Sequence, residues 1–299
     1  MQTKRVIALG FFDGVHIGHG ALLRRTCELA TNYGCISSAF SFDVSPSSII
    51  CGIETPLISS VSARITLMQE LYGIEDVQIV HFDKSLMRLS WQEFVTEKLQ
   101  KELHAVHVVC GQDFRFGYRG EGTPERLKEL CKELGIGCDV IEKVELDGVC
   151  VSSTVIRNFL QRGDFRQAVR FLGHPLLYCG VVQKGARLGQ TIGVPTANLP
   201  FEPNALTPAF GVYAAKVEAD GSQYRALVNV GLHPTAEALK NPLLEAHLLD
   251  FSGDLYGKKI FVRLYDFIRP ERKFSSLNAL QEQIRKDRIQ IQNYFSEEN

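Results

Sequence analysis

Two histidines three residues apart, His16 and His19, stand in the run Gly10-Phe11-Phe12-Asp13-Gly14-Val15-His16-Ile17-Gly18-His19. The run follows a short apolar strand and precedes a helical stretch. In an open parallel sheet, ligands bind at the carboxyl ends of the strands. A helix N-terminus there turns free N–H groups and a positive dipole toward phosphate. Gly10, Gly14 and Gly18 allow close backbone approach, and Phe12 and Asp13 lie within the same turn. At this spacing His16 and His19 can both donate hydrogen bonds to one polyphosphate, and such donors stabilise charge developing on a phosphoryl group. The alternative is a glycine turn with two incidental surface histidines. The strand–turn–helix context favours phosphate chemistry.

A second set lies at 151–157, Val151-Ser152-Ser153-Thr154-Val155-Ile156-Arg157. The hydroxyls of Ser153 and Thr154 can cap the helix that follows. Arg157 offers a fork of donors to phosphate. Taken alone, this reads equally as an ordinary helix cap.

A third set runs from Lys184 to Leu199 and is rich in glycine. It is not a P-loop, because no G-K-[ST] follows. Its backbone amides, with Gly189 central, can still cradle phosphate. Thr196 and Asn198 supply oxygen ligands suited to Mg²⁺. Downstream, Glu245 stands on a strand-like run, 244–251. By composition alone, the loop reads equally as a pair of β-turns and Glu245 as a solvated strand residue.

The elements that must position these residues change character along the chain. Apolar strand patterns at 5–9, 37–42, 77–82, 105–110 and 138–141 alternate with helical patterns at 21–31, 63–72, 91–103 and 124–134. Alternation with apolar strands predicts a Rossmann-like parallel sheet covered on both faces. A helical stretch over 154–172 follows. After about residue 175 the strands come close together, at 176–183, 211–219, 224–231, 244–250 and 259–268, with Gly, Pro and Asp-Gly turns between them. This predicts an antiparallel barrel, closed by a terminal helix over 276–295. The expected domains are 1–175 and 176–299, with the boundary near 173–178. There is no internal repeat.

Lys plus Arg is 33 against 34 for Asp plus Glu, a net charge of −1, which argues against a nucleic-acid binder. No window of about 18 apolar residues exists, so no membrane span is expected. The first residues are too short in apolar character for a signal peptide. The eight cysteines form no C-x-x-C pair and are expected to be buried free thiols in a reducing cytoplasm.

In order and in register, these motifs make the chain similar to the bacterial bifunctional riboflavin kinase/FAD synthetase family. The first half carries G-x-F-D-G-V-H-x-G-H, then Gly111-Gln112-Asp113-Phe114-Arg115-Phe116-Gly117, then S-S-T-x-I-R. The second half carries G-V-P-T-A-N-L, Gly211-Val212-Tyr213, Asn229-Val230-Gly231, Pro234-Thr235, and E-x-H-L-L-D-F before Leu255-Tyr256-Gly257. The histidine motif also resembles the wider nucleotidyltransferase superfamily.

The resemblance implies that the barrel phosphorylates riboflavin with ATP, giving FMN. The first domain would then adenylylate FMN with a second ATP, giving FAD and pyrophosphate. Thr196 and Asn198 would hold Mg²⁺ and the ATP phosphates, and Glu245 would take the riboflavin 5′-hydroxyl proton. His16 and His19 would stabilise the α-phosphate transition state. Ser153, Thr154 and Arg157 would hold the leaving pyrophosphate, and Asp113 and Phe114 would contact nucleotide or flavin.

The chain departs from the family in three places. Phe11 stands where a small polar residue is common. Phe42-Asp43-Val44-Ser45-Pro46 replaces F-x-P-H-P. Ala236 replaces an aromatic. The loop change supports an alternative, a riboflavin kinase with weak or lost FMN adenylyltransferase activity. Intact His16, His19, Ser153 and Arg157 argue against it. A non-enzymatic flavin or nucleotide carrier would have lost Thr196, Asn198 and Glu245. A tRNA synthetase reading of H-x-G-H fails on chain size, on the missing lysine-rich second signature and on charge.

Overall fold

The computed structural model describes residues 3–52, 54–184, 196–232 and 242–297. They form two compact units, Met1–Pro56 with Val61–Ser153, and Leu57–Ser60 with Thr154–Asn299.

The first unit is built on five parallel strands, β1 (Arg5–Leu9), β2 (Ile36–Phe42), β3 (Asp76–Val80), β4 (Ala105–Gly111) and β5 (Gly137–Ile141), in the order β3-β2-β1-β4-β5. Strand β1 lies at the centre with Val6–Leu9 fully buried, which is why it reads as an unbroken apolar run. Helix α1 (Ile17–Tyr33) packs against β1, β2 and β4 and stops at Gly34, which has a left-handed φ of 61°. It begins four residues before the expected 21–31, because the His16 side chain serves as its N-cap. The loop that departs from F-x-P-H-P continues into a short helix, α2 (Pro46–Cys51), which the pattern did not announce. Helix α3 (Val61–Tyr72) turns Ala63, Arg64, Leu67 and Met68 inward.

Two helices follow β3: the short α4 (Lys84–Arg88), and the start of the expected 91–103 helix, α5 (Trp91–Glu93). Helix α5 opens with a Ser90/Glu93 capping box and continues as a π-helix over Phe94–Glu102. Apolar spacing does not distinguish i→i+4 from i→i+5 bonding. Helix α6 (Pro124–Glu133) is capped by Thr123. Gly117, the last residue of the G-Q-D-F-R-F-G run, has a φ of 72°, and a Cβ there would lie 2.6 Å from the Trp91 backbone. Gly117→Ala combines a left-handed strain with a backbone clash. It is expected to lower stability by about 1–3 kcal/mol, read as a fall in the melting temperature.

In the second unit, the expected helical stretch over 154–172 is two helices, α7 (Ser153–Gln161) and α8 (Phe165–Leu172), broken at Gly163 and restarted by Asp164 as N-cap. Ahead of these helices a two-stranded hairpin, β6 (Glu145–Leu146) and β7 (Val149–Cys150), ends the first unit. Six antiparallel strands of the second unit follow: β8 (Leu176–Val181), β9 (Ala197–Pro200), β10 (Gly211–Ala219), β11 (Ser222–Leu232), β12 (Pro242–Leu248) and β13 (Lys259–Pro270). Their order is β8-β13-β10-β11-β12-β9. The ends of the sheet approach each other where Gln183 N–H donates to the Asn198 carbonyl at 2.8 Å, so the barrel nearly closes. The terminal helix α9 (Leu277–Glu297) buries Ile291 and Phe295 among Val212, Ala214, Leu227 and Leu249. Arg269 binds Asp287 through two nitrogens and ties this helix to β13. A segment from the first half also belongs to this unit. Leu57 N–H donates to the Asn204 carbonyl at 2.7 Å, Leu206 N–H donates to the Leu57 carbonyl at 2.8 Å, and Ile58 is buried.

The thiols divide more widely than composition suggested. Cys110, Cys131 and Cys179 are buried, while Cys51 is exposed. Cys51 ends α2, a helix with no buried residue.

Candidate active sites

The loop between β1 and α1 leaves the sheet in a strained course. Phe12 has a φ of 57°, Gly14 of 79° and Val15 of 43°. A β-branched residue rarely occupies that region, and such strain concentrates at functional sites. Strain here is offset by a turn bond from Val15 N–H to the Phe12 carbonyl at 3.0 Å and by burial of Phe12, Asp13, Val15 and His16. Ser153 Oγ donates to the Asp13 carbonyl at 2.8 Å, which joins the S-S-T motif to the histidine loop.

The two histidine rings stack, with centroids 3.6 Å apart and planes at 15°. His19 N–H donates to His16 Nδ1 at 3.3 Å. His16 therefore carries its proton on Nε2 when neutral. A Cβ on Gly18 would lie 3.1 Å from His16 Nδ1, so a larger residue would crowd the stack. On Gly10, a Cβ would meet the Phe12 ring at 3.0 Å. His19 keeps part of its surface accessible, yet its Nδ1 is buried without a hydrogen-bond partner. Burial first, then the adjacent His16 and the charge of Arg64, hold its pKa well below the ordinary value of 6.5. The arrangement presents a stacked imidazole pair in which His19 is held toward its neutral form and keeps one ring nitrogen unused.

Asp113 and Phe114 sit just past β4, at the same carboxyl end of the sheet. Asp113 is exposed and faces Lys143 at 3.3 Å. Phe114 stacks on Phe116, with centroids 5.4 Å apart. Thr154 and Arg157 lie in the first turns of α7, where Arg157 Nη1 donates to Thr154 Oγ1 at 3.4 Å. These two group with the second unit, whereas Ser153 groups with the first. Arg157 follows Ser153 by four residues and so shares its helix face.

One residue of this region escaped the sequence reading. Arg64 is fully buried and donates to the Phe11 carbonyl at 2.7 Å, Ser41 Oγ at 3.0 Å and the Phe42 carbonyl at 2.8 Å. A signal existed, since Arg64 interrupts the apolar stripe Ala63, Leu67, Met68. The altered loop is also ordered by polar contacts. Asp43 accepts from Val44 N–H and Phe82 N–H and pairs with His81 Nδ1 at 2.6 Å.

In the barrel, register makes the second site. Asn198 on β9 lies directly opposite Glu245 on β12, and Glu245 lies directly opposite Asn229 on β11. Residues directly opposite on paired strands project to the same face. Asn229 Nδ2 donates to Glu271 Oε1 at 3.1 Å. Asn198 is only 5% exposed, and its Oδ1 has no hydrogen-bond partner. A buried carbonyl oxygen left unbonded costs free energy unless something occupies it. A cavity of about 860 Å³ is lined in part by Lys184, Thr196, Ala197, Ala246, Phe251 and Tyr256; the Ala197–Ala246 pair is one residue along from Asn198–Glu245 and projects to the other face of the strands. Gly189, Gly193-Val194-Pro195, Pro234-Thr235 and Ala236 lie outside the described residues. The sequence pattern presents Asn198 as the end of a glycine-rich loop, whereas the structure places it on strand β9.

The FAD synthetase family model matches residues 1–155, and the riboflavin kinase family model matches residues 172–295. A Bacillus subtilis protein described as a bifunctional riboflavin kinase/FMN adenylyltransferase is 35% identical over 301 residues, covering 99% of this chain and 94% of its own length. One of the same description from Pseudomonas fluorescens is 36% identical, covering 94% of this chain and 90% of its own. The Escherichia coli K12 protein is 34% identical over 98% of this chain and 94% of its own. A Streptococcus pneumoniae crystal structure described as a macrolide-efflux protein has a TM-score of 0.82 and 30% identity, over 98% of this chain and 95% of that one. No helix among the described residues is long and apolar enough to cross a membrane.

Proposed function

This chain belongs to the bifunctional riboflavin kinase/FMN adenylyltransferase family, and on that premise we propose how its residues divide the two reactions. It is a transferase that phosphorylates riboflavin with ATP to FMN and adenylylates FMN with ATP to FAD, releasing pyrophosphate. Residues 1–175 perform the adenylyl transfer and residues 176–299 the phosphorylation.

The observation that carries the assignment is the Asn198–Glu245–Asn229 row, which puts a carboxylate between two amides on one face of three paired strands. The riboflavin 5′-hydroxyl is a neutral nucleophile and gains from a carboxylate base. Glu245 takes that proton. FMN brings an ionised phosphate as nucleophile, so its site needs donors rather than a base. His16 and His19 supply those donors to the α-phosphate, Ser153, Thr154 and Arg157 hold the leaving pyrophosphate, and Asp113 and Phe114 contact nucleotide or flavin. Gly10, Phe12, Asp13, Gly14 and Gly18 shape the loop against the phosphates.

Mg²⁺ is the metal implied for the kinase reaction. The unbonded, buried Oδ1 of Asn198 suits it, since Mg²⁺ takes a few protein oxygens plus substrate phosphates. Thr196 and Asn198 would hold it, and when bound it neutralises phosphate charge. Asn198→Ala is expected to raise the Mg²⁺ concentration for half-maximal FMN formation by about tenfold or more, with FAD formation from FMN unchanged. ATP, flavins and free thiols together suit the cytoplasm.

Incubating the protein with riboflavin, ATP and Mg²⁺, and separately with FMN, ATP and Mg²⁺, tests the assignment by chromatography. FMN from the first and FAD from the second are expected. FMN without FAD would favour the kinase-only reading and point to the Asp43-Val44-Ser45 loop.

A further inference from the structure

We propose that Arg64 is a positioning residue for adenylyl transfer: it clamps the loop carrying His16 and His19 onto the end of β2 and places a fixed positive charge beside it. The proposal rests on the role of the histidines given above. Arg64 lies on α3, is 0% exposed and makes no ion pair among the described residues. Burying an uncompensated guanidinium is costly, so the fold must hold it closely. Nη1 donates to the Phe11 carbonyl and to Ser41 Oγ, and Nη2 donates to the Phe42 carbonyl. Ser41 Oγ in turn donates to the same Phe11 carbonyl at 2.8 Å. The Phe11 ring faces the guanidinium at 4.6 Å, a cation–π contact. That contact accounts for an aromatic residue at a position where the family often has a small polar one.

The Phe11 carbonyl is thus the point at which β2, α3 and the histidine loop are fastened together. The fork spans two carbonyls, a geometry that lysine cannot reproduce. Arg64 Nε stays buried and unbonded. Asp13 in the loop and Asp43 at the end of β2 support the charge at longer range, and Asp43 is itself paired with His81 from the end of β3. The charge that remains reaches His19, where it adds to burial and to His16 in keeping the imidazole neutral.

Full-length Arg64→Met and Arg64→Lys, assayed for FAD formation across acid and neutral pH, test the clamp. In Arg64→Met, kcat is expected to fall about tenfold or more through misplacement. Its acid limb should move to higher pH, because loss of the positive charge raises the His19 pKa. Arg64→Lys should keep the wild-type acid limb and still lose kcat. FMN formation by the same preparations should be unchanged, and an unchanged thermal unfolding profile of the full chain reports that the first unit is folded. Wild-type kcat and acid limb in Arg64→Met would overturn the proposal, as would identical limbs in the Met and Lys variants. Should Arg64→Met fail to fold, Arg64→Lys and Ser41→Ala decide, and unchanged kcat in both overturns the clamp. His19→Ala separates the two levels. Full FAD formation there overturns the reading of the histidines, whereas loss there with full activity in Arg64→Met overturns the clamp alone.

Discussion

Glu245→Gln is expected to abolish FMN formation and leave FMN adenylylation at its wild-type rate. The amide keeps the volume of the carboxylate and the β12 register, so Asn198 and Asn229 remain opposite position 245. What it loses is the capacity to accept the 5′-hydroxyl proton. A positioned general base contributes about 10²–10⁴-fold, and the loss should fall on kcat rather than on KM for riboflavin. Both rates can be followed in one preparation by separating riboflavin, FMN and FAD. Loss of both activities would defeat the two-site assignment. Full kinase activity would remove Glu245 as the base and turn attention to Glu271, the carboxylate bonded to Asn229.

His19→Ala is expected to do the reverse, reducing FAD formation by about 10²–10³-fold, the worth of an oxyanion-type donor, with FMN formation unchanged. The variant should fold, because the bond that caps α1 runs from the backbone N–H of residue 19 to His16 Nδ1 and survives the substitution. The ring stack on His16 is lost. An effect confined to KM for ATP would assign His19 to substrate binding alone.

The sheet-then-barrel order was legible because strand and helix patterns alternate around the apolar central strand β1, while barrel strands are separated by glycine and proline turns. The histidine loop was legible because its glycines and histidines have a fixed spacing after β1. Its strained course at Phe12 and Val15 was not, since neither type announces a positive φ. Strand β9 was missed because glycine-rich sequence runs directly into it, and α2 because its apolar residues stay exposed. Glu245 and Asn198 were chosen by motif, but only strand register shows them facing one another. The Asn229–Glu271 pair was not legible, because 42 residues separate its members in the sequence. Arg64 was overlooked because a charge in a helix is ordinarily read as solvated.

The barrel unit is not a single stretch of chain, because Leu57–Ser60 belongs to it. On a ribosome this segment emerges long before Asn204 and Leu206, the residues whose backbone it pairs with. The second unit therefore cannot complete itself until the first has been made and its strap is available. Cutting the chain between the two units would therefore cost the barrel contacts that its own stretch of sequence does not contain. A fragment beginning at Thr154 would leave the Asn204 carbonyl and Leu206 N–H without the strap, and Ile58 would be missing from the interior. Separate genes for the two activities would need the strap to be supplied again or replaced by new sequence.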